Sequence, residues 1–413
     1  MSNLLERASI LLTPTAISAA AIHSIKPNTA TGDFSFTRAT TATRVNSSGL
    51  IEDVAASFPR IDFTDGTGHI LMESASTNLE VNSADLSTGW SASTSATASV
   101  ETGITPFGVS GNIKRVIGAT NSPPNWVDNA DALKKQYTVS ATDPASTFTF
   151  SVYVKSAGST TVNIQLRNNT SGPSTTTGVI SLSSDWQRVS VTLAVTTTTT
   201  KIGVVIAGTD GDILLSGAQL EAKVFATSLI PTSGSTVTRN KDEAGSSGDS
   251  SLMSSTEGTI YAEFAALADE GTTRSISLSD GTQNNRLLFG PHAAAGGCLV
   301  NIKTGNVLQV SENVVLSTIT DFNKVAIRYK ANDVVVFRNG ELAASDTSVS
   351  LASADTFTSL QFDSGAGFSD FSGKVKCIAV FKEFLDNDEL ECLTGSGFDS
   401  FTALAEANSY TII

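Results

Sequence analysis

The chain has 413 residues, 26 Lys and Arg against 40 Asp and Glu, and a formal net charge of −14, with no basic cluster longer than the pair Lys134-Lys135. At about 100 to 200 residues per domain this length holds two or three domains, and the charge excludes nucleic-acid binding by phosphate neutralisation. About a quarter of the residues are Ser or Thr, while 16% are charged and 40% hydrophobic, a balance that suits a β-rich protein with enough apolar surface to fold.

Residues 1–35 carry two apolar stretches, LLERASILL and AISAAAIHSI, interrupted by Pro14. Both are shorter than the roughly 18 apolar residues of a membrane span, so no membrane insertion is expected, and the N-terminus does not read as a secretory signal. They are too apolar for a solvated tail, and residues 1–30 are expected to dock onto another subunit. From Phe36 the chain reads FTRATTATRVN, a β-branched, alternating run that should pair as a strand.

Period-two alternation then recurs at Phe148–Lys155, Thr161–Arg167, Gln187–Val195, Lys201–Ile206, Gly258–Phe264, Val325–Tyr329 and Asp333–Phe337. Such short pieces between Gly, Asn, Asp and Ser clusters predict antiparallel sandwiches. The five consecutive threonines Thr196–Thr200 read as an edge strand or hairpin turn. Asn339-Gly340 predicts a type I′ hairpin, because that turn needs two positive-φ residues. Asp386 followed three positions later by Glu389 predicts a capping box opening a short helix through Leu393, stopped by Gly395.

The acidic excess is concentrated after residue 240, and the Ser/Gly-rich stretch 233–257 coincides with that shift. The expected organisation is therefore an N-terminal attachment segment at 1–75, a jelly roll at 76–232, a linker at 233–257 and a second sandwich at 258–413. The fold class is all-β, two antiparallel β-sandwiches behind an attachment segment. Cys298, Cys377 and Cys392 lack C-x-x-C spacing and are odd in number, so they form neither a disulfide scaffold nor a zinc ribbon.

FTRATTATRVN is followed by GLIEDV at Gly49–Val54, PRIDF at Pro59–Phe63, ILMES, and TNLE ending at Glu80. This succession resembles a module of tailed-bacteriophage virion proteins, especially fibres and other appendages. NSADLSTGW (Asn82–Trp90), DWQRVSVTL (Asp185–Leu193) and AQLEAKVFATSLIPTSGSTVTR (Ala218–Arg239) resemble the carbohydrate-binding-module-like jelly roll that follows it. GTIYAEF at Gly258, VVVFRNGEL at Val334–Leu342 and FSGKVKCIAVFKEFLDNDELECL from Phe371 are similar to laminin-G or concanavalin-like lectin domains. The resemblance implies a structural virion protein, homotrimeric, joined to other virion proteins by its N-terminal segment and adhering to host surface glycans. Two rivals stay open: a purely architectural virion protein, and a polysaccharide depolymerase with a carboxylate pair drawn from separate strands.

No H-E-x-x-H, G-x-S-x-G, Walker A or G-x-G-x-x-G motif occurs, and His23, His69 and His292 are scattered, so no catalytic residue is assigned. Sugar recognition needs an exposed aromatic face. Trp186 and Trp90 read as structural, the first lining the core and the second anchoring a strand end. Trp126, in the loop-like SPPNWVDN, is the expected sugar platform, with Tyr137 as a second. Asp210 and Asp212 in TDGDI could supply oxygen ligands to Ca²⁺, against the reading of a simple Asp-Gly turn.

Overall fold

The computed structural model describes residues 4–93, 96–118, 132–139, 147–168, 172–195, 199–208, 212–292 and 296–395. The fold is all-β, with the helix Asn387–Thr394 near its end. The chain forms two compact units: a middle unit of Ala42–Asp53 and Ala75–Asn240, and a terminal unit of Met1–Thr41, Val54–Ser74 and Lys241–Ile413.

In the middle unit every alternating segment forms a strand, because alternation turns one side of each into a core face. One sheet runs in the order Ser91–Ala92, Leu133–Thr138, Lys201–Gly208, Thr161–Asn168, Ser174–Thr176, with Ile180–Ser181 also on Thr161–Asn168. The other runs Thr97–Ile104, Ser110–Ile117, Asp212–Glu221, Thr147–Ser156, Gln187–Ala194. Val162, Ile164 and Leu166 of the first share one core with Phe148, Phe150, Val152 and Val154 of the second. Of the threonine run, 196–198 lies outside the described residues.

The terminal unit pairs Glu341–Asp346, Asp333–Arg338, Asn323–Lys330, Glu257–Ala266, Gly373–Phe381, His69–Met72 and Ile61–Asp62 in one sheet, with Ile10–Leu12 also on Gly373–Phe381. A five-stranded sheet runs Val307–Val315, Gly297–Thr304, Arg286–Pro291, Ile276–Ser279, Ser359–Gln361, and a four-stranded one Ile17–Ser18, Ala21–Ile22, Phe34–Thr37, Glu243–Gly245. Asn339 and Gly340 take φ of 47° and 87°, as a type I′ turn requires. The capping box at Asp386 and Glu389 is present, and the helix it opens is followed by Gly395.

Two expectations are corrected here. The first apolar stretch is not left for a partner to cover: Ile10 pairs with Val380 and Leu12 with Ile378, and Leu4, Ala8 and Leu11 pack with Phe381, Leu390 and Leu393. Its apolar surface is covered by the chain's own last strand and helix. The stretch 233–257 is not a flexible linker, since Val237–Arg239 pairs with Ser76–Asn78 and Glu243–Gly245 with Phe34–Thr37. Asp242, 2% exposed, is buried within the terminal unit.

The motif residues build the polar interior. In the terminal unit Arg38, Arg60, Glu73 and Asp242 are each at most 2% exposed. Asp242 Oδ1 accepts from Arg38 Nη1 at 2.8 Å, its Oδ2 accepts from Arg60 Nη2 and from the Glu73 amide, and Glu73 Oε2 accepts from Arg60 Nη1 at 2.7 Å. Burial opposes the Arg60 charge, but Asp242 and Glu73 outweigh it and its pKa is raised. Two cations and two anions thus neutralise each other, the condition for keeping charge out of water. In the middle unit fully buried Glu80 accepts from Lys135 Nζ at 2.9 Å, Tyr137 Oη at 2.6 Å and Trp90 Nε1 at 2.9 Å.

Candidate functional site

The site lies on the terminal unit. In the strand Ile276–Ser279, Ile276 and Leu278 point into the core, so Ser277 and Ser279 face outward. Register extends that outward face sideways. Ser277 pairs with Gln361 on one side and Leu288 on the other, Leu288 with Asn301, and Asn301 with Ser311. Beyond Gln361 comes Gly245, itself paired with Ser35; a Cβ on Gly245 would stand 3.3 Å from Gln361 Oε1. One transverse row therefore crosses the strands as Ser35, Gly245, Gln361, Ser277, Leu288, Asn301 and Ser311. Its middle is buried, with Ser277 at 0% and Asn301 at 9% exposure, yet Ser277 Oγ and Asn301 Oδ1 have no hydrogen-bond partner. Buried polar atoms are normally paired, so these two are unsatisfied beneath the outward face, where a ligand would reach them only after the covering side chains move.

At the Gly245 end a cavity of about 200 Å³ opens, walled by Ser35, Thr37, Glu243, Gln361, Asp363 and Asp370. Lys241 bridges Glu243 and Asp370, at 2.7 Å to Asp370 Oδ2. Asp363 accepts from the amides of Gly365 and Gly367. Burial pushes the Asp363 carboxyl up, against the downward pull of those two amides.

Asp363 also begins the loop Asp363–Asp370, which is braced along its length. Ser364 N donates to Phe368 O at 2.8 Å, Arg286 Nη1 donates to Ser364 O at 2.9 Å, and Ser275 N donates to Ser369 O at 2.9 Å. Gly365 has a φ of +99° and no room for a Cβ, which would lie 2.7 Å from Thr282 O. This rigid loop holds Phe368 at 64% exposure beside the cavity-lining Gly367. An exposed apolar ring on a loop whose other residues Asp363, Gly367 and Asp370 line a polar cavity supplies both chemistries of sugar recognition, a face for C–H groups and acceptors for hydroxyls.

The residues expected from sequence lie elsewhere. Tyr137 is 5% exposed, with its hydroxyl donating to Glu80, so it presents no ring face to a sugar. It alternates inward with Leu133 on its strand, which places it in the core. Trp126 and Asp210 lie outside the described residues. Asp212 carries a paired carboxylate rather than an open calcium ligand: Arg115 donates to its two oxygens at 3.1 and 2.7 Å. Among the described residues no group of three His, Cys, Asp or Glu is arranged to hold a metal ion. Trp90 is an anchor on Glu80, whereas Trp186 is half-buried outside the core, its Nε1 donating to Ile104 O at 2.9 Å. Phe368 was missed, although a lone aromatic within DSGAGFSD carries the same signal that singled out Trp126.

No protein-family model matches the chain, and no curated protein does. Solved structures to which it is similar include carbohydrate-binding modules. The CBM40 of the Ruminococcus gnavus IT-sialidase bound to α2,3-sialyllactose is 20% identical, over 34% of this chain and 84% of that one, with a TM-score of 0.30. Domain 4 of AbnA, a GH43 extracellular arabinanase from Geobacillus stearothermophilus in complex with arabinotriose, is 13% identical over 37% and 73% of the two chains, with a TM-score of 0.32. A heptameric SAP-like pentraxin from Limulus polyphemus is 12% identical over 35% and 76%, with a TM-score of 0.29.

Proposed function

We propose that this chain is a non-enzymatic structural protein of a phage particle that adheres to host surface glycans through the terminal unit. The observation that carries the adhesion is Phe368, 64% exposed on a braced loop and next in sequence to Gly367, which lines a polar cavity walled by Ser35, Gln361 and Asp363. The virion setting and the homotrimer rest on the resemblance of the FTRAT, PRIDF, ILMES and TNLE succession. Support for a role without turnover comes from charge. Lys241 pairs with both Glu243 and Asp370, so among the described residues the carboxylates beside Asp363 in this cavity are engaged in ion pairs.

The test is a glycan array probed with the full chain and with Phe368→Ala. Loss of one aromatic platform should weaken binding roughly tenfold while the melting temperature stays unchanged. Wild-type binding that survives the substitution intact would move the site elsewhere, and release of new reducing ends from a bound glycan would replace adhesion by hydrolysis.

A further inference from the structure

A second transverse row runs beside the first on the same outward face. Register sets Ser359 beside Ser279, Ser279 beside Arg286, and Arg286 beside Lys303. Arg286 is 8% exposed. A charge so far removed from water is ordinarily matched by an opposite one. Here the guanidinium spends one donor on the Ser364 carbonyl, its Nε has no partner, and it forms no ion pair among the described residues. Burial accordingly lowers its pKa with nothing to offset it. The acid nearest in sequence, Asp280, is engaged by Thr282 and Asn285 instead.

Lys303 makes the arrangement costlier. Side chains directly opposite on adjacent strands stand about 4.5–5.5 Å apart at Cβ, where like charges repel. Lys303 is half-buried and also has no ion pair among the described residues. Ser359 adds a hydroxyl whose Oγ is unpartnered. In a chain of net charge −14, two adjacent cations without a counter-ion among the described residues mark a place prepared for an anion from outside.

We infer that Arg286, Lys303 and Ser359 form a subsite for an anionic substituent, a carboxylate, sulfate or phosphate, on a glycan lying along the neighbouring row. The glycan part rests on the function proposed above; the anion part rests on the two cations.

The decisive variant is Lys303→Glu, which hands Arg286 an internal counter-ion. It should raise the melting temperature of the ligand-free chain by about 2–4 °C, remove the selective stabilisation by inorganic sulfate measured against chloride at equal ionic strength, and weaken acidic glycans on an array about tenfold. Lys303→Gln, on a half-buried side chain, should lose sulfate stabilisation without the gain in melting temperature. Equal sulfate stabilisation of wild type and both variants would reduce the effect to general salting and overturn the subsite. Binding of neutral and acidic glycans alike, unchanged in Lys303→Glu, would overturn it while leaving glycan adhesion standing. Selective sulfate binding with no glycan bound would overturn the adhesion reading and the glycan part of the subsite, and uphold the anion part.

Discussion

The ion cluster around Asp242 and the outward face around Ser277 are both polar and both buried, but they end in opposite accounts. At Asp242 each carboxylate oxygen meets a donor, and two arginines balance two acids. Along the sheet face Ser277, Asn301, Ser359 and Arg286 each keep an unused donor or acceptor. A network whose charges are matched rigidifies the fold. An unsatisfied one lowers stability and leaves binding capacity free, which is the usual signature of a functional surface.

The sharpest way to break this comparison is Asp242→Ala. Removing Asp242 takes the carboxylate from buried Arg38 and leaves two buried cations facing the single charge of Glu73, and the expected loss is about 3–5 kcal/mol, read by chemical denaturation. A loss below about 1 kcal/mol would show that the cluster is not what stabilises the terminal unit. Next in size is Tyr137→Phe, which takes one donor from buried Glu80 and should cost about 1–3 kcal/mol. Glycan binding should be unaffected, and a selective loss of binding at unchanged stability would restore Tyr137 as a platform. The smallest effect belongs to Ser277→Ala. With no hydrogen bond to lose and a buried unpaired hydroxyl removed, stability should stay level or rise by up to about 1 kcal/mol, while glycan affinity falls. A drop of 2 kcal/mol in the ligand-free chain would mean that the hydroxyl is already satisfied.

Local signals were legible where a few consecutive residues decide the outcome. Alternation at Phe148–Lys155 and Thr161–Arg167 marks strands, Asn339-Gly340 demands its turn, and Asp386 with Glu389 caps its helix. What stayed hidden depends on partners far along the chain. Ile10–Leu12 reads as an unattached apolar stretch until its pairing with Ile378–Val380 is known. The Ser/Gly content of 233–257 suggests a spacer, but Ala244 in the core and Asp242 between two arginines decide otherwise. The candidate site was illegible for the same reason. Ser35, Gly245, Gln361 and Ser277 become neighbours only across strands, so no spacing in the sequence announces them. Arg38, Arg60, Glu73 and Glu80, by contrast, sit in the most conspicuous motifs and are structural.

The interleaving of the two units has a consequence in time. Ile10–Leu12 and His69–Met72 both pair with Gly373–Phe381, so they leave the ribosome some 300 residues before that strand exists. At about 5–20 residues per second this is roughly 15–60 s. The middle unit's strands, all complete by residue 239, can close during that wait. Ile10–Leu12 meanwhile lacks the strand it pairs with. Nascent chains stalled near residue 300 should show a protease-resistant middle unit and cleavable flanks. The strand Gly373–Phe381 therefore acts as a completion signal: until it arrives, neither Ile10–Leu12 nor His69–Met72 has that neighbour to pair with.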